Sequence, residues 1–235
     1  INPEGGREST GLVTRFTLDH STEATPDYPV ELRLLTQTDL VKIIGNAFLS
    51  DFDASQRKVL PASEETVRSV VDAIVGRASA ASRPHLDEVA MHDISEYFHE
   101  HFPRDVQALD NADYWSVLQA CGHRLGTADR IALYELLWGQ VPDLTRAFSL
   151  LLDGLERLQH PAQARASMKA LADREISIID VATAYALGSP ADQADLIPVA
   201  GVFEGGRVGS AVELSRAVLT ILVAELRISL EKQPW

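Results

Sequence analysis

The chain has 235 residues, 46% of them hydrophobic, and a formal net charge of −13. That charge excludes a general nucleic-acid binder, whose affinity rests on Lys and Arg neutralising phosphates, and it sets the average surface against an anionic bilayer. Cys121 is the sole cysteine, so no intrachain disulfide is possible, and the longest apolar run, 217–224, falls far short of the ~20 residues of a membrane-spanning helix.

In chain order, the first 36 residues read as β. "TGLVTRFTL" is rich in types that fit a pleated surface. After the turn-rich "STEATPDYP", "VELRLLT" alternates Val30, Leu32 and Leu34 with Glu31 and Arg33, the period of a half-buried strand. The two segments are expected to pair as an antiparallel hairpin with a long loop.

From Thr36 the period becomes helical. Thr36 and Asp39 have capping-box spacing, and Leu40, Ile44, Ala47 and Phe48 share one face. Ser63, followed by Glu64 and Glu65, opens a second helix with the stripe Val67, Val70, Val71, Ile74 and Val75. Further helices are predicted at 86–102, 112–121 and 128–138. The clearest runs over 144–158 after Pro142 and Asp143, with Leu144, Phe148, Leu151, Leu152, Leu155 and Leu158 inward. Pro161 is expected to open another helix through Leu171. "ISIID" (176–180) and "IPVAGVF" read as strands. "SAVELSRAVLTILVAEL" reads as a buried helix, with "LRISL" as a closing strand. The expected class is predominantly α within α+β, in three segments: β-rich 1–36, a helical-bundle-like insertion over 37–175, and an α/β closing segment over 176–235.

Few residues announce chemistry. "GRESTG" has the glycine spacing of a phosphate loop at Gly6 and Gly11. Leu12 stands where Lys is required, and a strand follows in place of a helix. "FEGGRVGSAVEL" also lacks the Lys and reads as a turn. His85, His92 and His99 are seven apart, about 10 Å along a helix axis, so neighbours in that series cannot share an ion bound at about 2 Å. His92 with Glu96, or Glu96 with His99, is a two-ligand half-site at most; a solvated polar stripe opposite Leu86, Ala90, Ile94 and Tyr97 is the plainer reading. Cys121 lies beside His123 in "ACGH" without a catalytic pattern and reads as a small buried thiol.

"TGLVTRF" resembles the switch I segment of dynamin-type GTPases. "NPEGGREST-GLVTRF", "LRLLTQTDLVKIIGNAFLSDF", "LWGQVPDLT" and "SIIDV" resemble segments of the SrfC-like virulence factor family, large bacterial proteins with a dynamin-like GTPase domain. The resemblance implies that Thr14 is the switch I threonine that binds Mg²⁺ beside GTP, with Thr10 and Gly11 as further cofactor-binding positions. Glu8, Ser9 and Thr10 replace the Arg-Gly-Ser of the dynamin pattern. The resemblance also implies a piece of a larger α/β G domain, running from after the phosphate loop to before switch II. Lacking the phosphate loop, D-x-x-G and [NT]-K-x-D motifs, it is not expected to catalyse or to hold Mg²⁺ or GTP alone. The alternative class is a helical protein-interaction module without enzymatic activity. Either way the expected partners are other protein subunits or further copies of the chain, not nucleic acid. Membrane contact stays open, and the setting is expected to be cytoplasmic.

Overall fold

A computed structural model of the chain describes residues 13–17, 27–51, 62–79, 81–83, 85–171 and 187–229, and these form an α+β fold. Contacts divide the chain into two compact units, one comprising Ile1–Thr36 with Leu150–Trp235 and the other Gln37–Ser149.

The first unit is built on a six-stranded mixed sheet. Its strands are β1 Val13–Thr17, β2 Val30–Leu34, β3 Gln163–Ala166, β4 Leu196–Val202, β5 Val208–Ser215 and β6 Val223–Ser229, in the order β1-β6-β2-β3-β4-β5. β1 runs parallel to β6, and every other neighbouring pair is antiparallel. β1 and β2 therefore do not form the expected hairpin, because β6 lies between them. Their turn-rich connection supplies no tight turn to set a register. β6, with Val223 and Leu226 buried, takes the inner place.

β2 is buried at Val30, Leu32 and Leu34, as its alternation predicts. The helix expected from Pro161 is absent; β3 stands there, followed by a 3-10 turn at Met168–Leu171. The Ala-rich stretch has good helix propensity, but the small Ala164 and Ala166 fill positions between β2 and β4, and that pairing overrides propensity. The helix expected over 210–226 is likewise replaced. β5 passes through Ser215, whose hydroxyl accepts from Val218 N–H, into the short helix Arg216–Leu222, and β6 follows. Gly205 and Gly206, at φ 74° and 76°, turn β4 into β5, so "FEGGR" is a hairpin tip. Pro198 is tolerated inside the sheet because it stands opposite Glu213 just beyond the last β3–β4 pair, Ala166 with Val199; its missing N–H breaks no bond to β3. Residues 176–180 lie outside the described residues.

The second unit holds α1 Gln37–Asn46, which runs into a π turn at Ala47–Asp51, then α2 Glu64–Val75, α3 Glu88–His101, α4 Gln107–Asn111, α5 Tyr114–Cys121 and α6 Thr127–Tyr134. α7, Pro142–Arg157, begins in this unit and ends in the sheet unit. The stripe of α1 is buried at Leu40, Ile44, Ala47 and Phe48, and Ser63 caps α2 by accepting from Thr66 N–H. α2 buries Val67, Val71 and Ile74, whereas Val75 is 53% exposed. In α3 the inward face is Met91, Ile94, Ser95 and Phe98, rotated from the expected one. Phe148 of α7 packs its ring on Tyr134 and Trp138. Arg130 is 1% exposed, with Nη1 donating to the Leu125 carbonyl and Nη2 to Thr127 Oγ1.

Candidate functional site

Of the three residues that the resemblance singles out, Thr10 and Gly11 lie outside the described residues. Thr14 lies in β1, its backbone in register with Leu226 of the parallel β6. Thr14 is near the start of β1, and β6 ends three residues beyond Leu226, at Ser229. At ~3.3 Å per residue, Thr14 and the exit of β6 are about 10 Å apart along the sheet.

The half-site histidines are engaged otherwise. His99 Nδ1 donates to the Ser95 carbonyl at 2.7 Å, and Nε2 lies 3.0 Å from Asp110 Oδ1, which also accepts from Trp115 Nε1 at 2.7 Å. His92 Nδ1 lies 3.5 Å from Gln119 Nε2. Among the described residues, no group of three or more His, Cys, Asp or Glu side chains could hold a metal ion. Cys121 is buried, donates its S–H to the Val117 carbonyl at 3.0 Å, and has its thiol pKa pushed up by burial against the opposing pull of Arg124. Such a thiol is a poor nucleophile.

The most structured polar arrangement lies on one face of the sheet, and sequence reading missed it. Alternation turns Glu31 and Arg33 away from the core face of Val30, Leu32 and Leu34. Register then builds two rows across β3, β2 and β6. Glu31 stands opposite both Arg165 and Arg227; Arg33 stands opposite both Gln163 and Glu225. Arg165 Nη2 lies 3.4 Å from Glu31 Oε1, and Arg227 Nε lies 2.8 Å from Glu225 Oε1. Arg165 and Glu225 are only 7% and 6% exposed. The pKa of Arg227 is raised, first by its hydrogen bond to Glu225, then by the Glu225 charge, and in smaller part by Glu31. A half-open depression of about 80 Å³ lies over these rows, lined by Glu31, Arg33, Gln163, Arg165, Val202 and Arg227. The only sequence signal for it is the outward phase of Glu31 and Arg33; the partner strands are not legible locally.

Fold and site together define an α+β protein whose charged sheet face is assembled from distant parts of the chain. The chain belongs to the family described as "Putative bacterial virulence factor", whose model matches residues 1–235. No curated protein and no solved structure matches it. Among the described residues, no helix is long and apolar enough to cross a membrane.

Proposed function

We propose that this chain is the switch I segment of a larger dynamin-like GTPase, carrying a helical insertion and not catalytic by itself. The observation that supports this reading is the order of the elements. The whole helical unit is spliced into the chain between β2 and β3, two neighbouring strands of one sheet. The second support is the pattern "TGLVTRF", which runs into β1. In this reading Thr14 supplies a hydroxyl to Mg²⁺, a hard ion that takes oxygen ligands, while Thr10 and Gly11 line the approach to GTP. Partners are further subunits or copies, and the setting is cytoplasmic.

The test is GTP turnover by Thr14→Val and Thr14→Ser in the full-length protein. Val keeps the β-branched shape and loses the oxygen, so turnover should fall about 100- to 1000-fold, with Ser retaining much of it. Turnover of the Val variant at the wild-type rate makes Thr14 a strand residue. The isolated chain should bind no GTP by titration calorimetry; a micromolar dissociation constant would overturn the fragment reading.

A second reading, a non-enzymatic interaction module, is favoured by the charged sheet face, which offers paired arginines to a partner and needs no nucleotide.

A further inference from the structure

We propose that His99 is a proton-dependent latch between α3 and α4: the doubly protonated ring ties the short helix α4 to α3, and loss of one proton frees it. The inference is independent of the GTPase reading.

The argument begins with hydrogen-bond roles. His99 Nδ1 lies 2.7 Å from the Ser95 carbonyl, an oxygen that can only accept, so Nδ1 carries a proton. Nε2 lies 3.0 Å from Asp110 Oδ1, and a carboxylate oxygen likewise only accepts. Trp115 Nε1 donates to that same Oδ1 at 2.7 Å, so the oxygen already serves as an acceptor. Both ring nitrogens therefore face acceptors, and both bonds form together only in the imidazolium. A neutral imidazole has one N–H, so losing a proton sets a nitrogen lone pair against one of the two oxygens. The carbonyl bond is the shorter, and it closes within α3, where Ser95 and His99 are four residues apart. Nδ1 thus keeps its proton, and the contact to Asp110 is the one that opens. Histidine is the side chain that changes charge between pH 5 and 8, so ordinary changes of pH reach the latch.

Few groups meet the ring. α4 turns Asp110 to it, and α5 turns the uncharged indole of Trp115, with ring centroids 4.9 Å apart. On α3 itself the Ser95 hydroxyl lies 3.4 Å from Nδ1, and the nearest charged residues in sequence are Glu96 and Glu100. Among the described residues, Asp110 is the charged group that pairs with His99.

α4 is an element that such a latch can move. It has five residues, too few to hold a helix alone, and its first turn has no side-chain cap, so tertiary contacts keep it in place. Asn111 ties it to α2: its carbonyl accepts from Arg68 Nη2, and its Nδ2 donates to Glu64 Oε2. Asp110 ties it to α3. The side chains of His99 and Asp110 are 44% and 40% exposed, so solvent protons reach the pair.

The experiment follows the ¹⁵N-labelled 235-residue chain at pH 5.5 and 8.5. Long-range ¹H–¹⁵N spectra read the proton on each imidazole nitrogen. Hydrogen exchange reads the amides of Leu109 and Asp110, which both donate to the Val106 carbonyl. At pH 5.5 both nitrogens of His99 should be protonated, and at pH 8.5 Nδ1 alone. Protection of the two amides, corrected for the intrinsic rate, should fall about two- to fivefold from pH 5.5 to 8.5, the scale of a part-exposed ion pair, with Val71 and Ile74 of α2 unchanged. His99→Phe keeps a ring against Trp115 and has no proton to lose, so its protection should be the same at both pH values. His101→Gln should respond as the wild type does. A neutral His99 with its proton on Nε2, unchanged protection in the wild type, a response that persists in His99→Phe or one that vanishes in His101→Gln overturns the proposal. Should His99→Phe fail to fold, the wild-type tautomer and exchange decide by themselves.

Discussion

Gly45 of α1 lies against the ring of Phe98 of α3 so closely that a Cβ placed on it would overlap Phe98 Cζ. Phe98 is fully buried, stacks at 6.2 Å on Trp115 and meets Tyr97 edge-on at 5.4 Å, so its ring has little room to yield. Gly45→Ala gains about 1 kcal/mol of helix propensity but overpacks the contact by about 1–3 kcal/mol. The expected outcome is a net loss of stability, read by urea unfolding followed through Trp115 and Trp138. In a Phe98→Leu background the Ala substitution should become neutral or stabilising; an Ala variant more stable than wild type sinks the close-packing account.

Leu151 is fully buried on the sheet-unit half of α7. Leu151→Ala should cost about 2–5 kcal/mol, because the removed methyls leave a cavity that neighbours refill only in part. A loss under about 0.5 kcal/mol places that side chain outside the core.

Tyr134 contributes to the alkaline limit, alongside Tyr114, whose phenol burial also pushes up. Burial pushes the Tyr134 phenol up to about 12, against the smaller opposing pulls of Arg130 and of the hydrogen bond from Gln37 Nε2. The folded-state pKa exceeds the unfolded value of ~10, so the folded protein favours the neutral phenol. That stability is complete below about pH 10 and is lost as pH rises through 10 to 12, by about 2–3 kcal/mol at most. Thermal midpoints of wild type and Tyr134→Phe across pH 8–12 check it: the Phe variant should show a shallower alkaline decline.

Asp195 behaves in the opposite sense. The hydrogen bond from Arg216, with smaller help from the charges of Arg216 and Lys169, holds its carboxyl below the usual range. Its contribution is present above the unfolded pKa of ~3.9 and is lost as pH falls through the folded value. Asp195→Asn should flatten the acid limb of the stability curve between pH 5 and 2 and leave it unchanged at pH 7–9 relative to its own plateau.

Arg157 guards an edge. β5 is the last strand in the described sheet order, and Arg157 Nη2 donates to its Glu213 carbonyl at 2.7 Å. An uncovered carbonyl on an outer strand invites pairing with another chain. Arg157→Ala should raise self-association in sedimentation velocity at 10–100 μM, while Arg146→Ala, on the first half of α7, should not.

Local signals sufficed where structure is local. The alternation of Val30, Leu32 and Leu34, the Ser63 cap and the stripe from Leu144 to Leu158 all stand as the sequence implies, because period and capping chemistry act within a few residues. The end of α7 shows where they stop sufficing. Its chain reverses through Gln159 and His160, both at positive φ, with Gln159 N–H bound to the Glu156 carbonyl and His160 N–H to Leu155. This is a Schellman ending without its usual glycine, so no residue announces it.

By itself, then, the sequence determined an α+β chain, its helical middle and the inward face of most helices, since these follow from residue type and short-range period. Tertiary structure alone decided that 163–166 is a strand, that β6 separates β1 from β2, and that Arg165 meets Glu31 across 134 residues. The physical reason is the same in each case. Strand pairing and register are set by partners far away in the chain, and an Ala-rich or Val-rich segment with two acceptable conformations takes the one its neighbours bury.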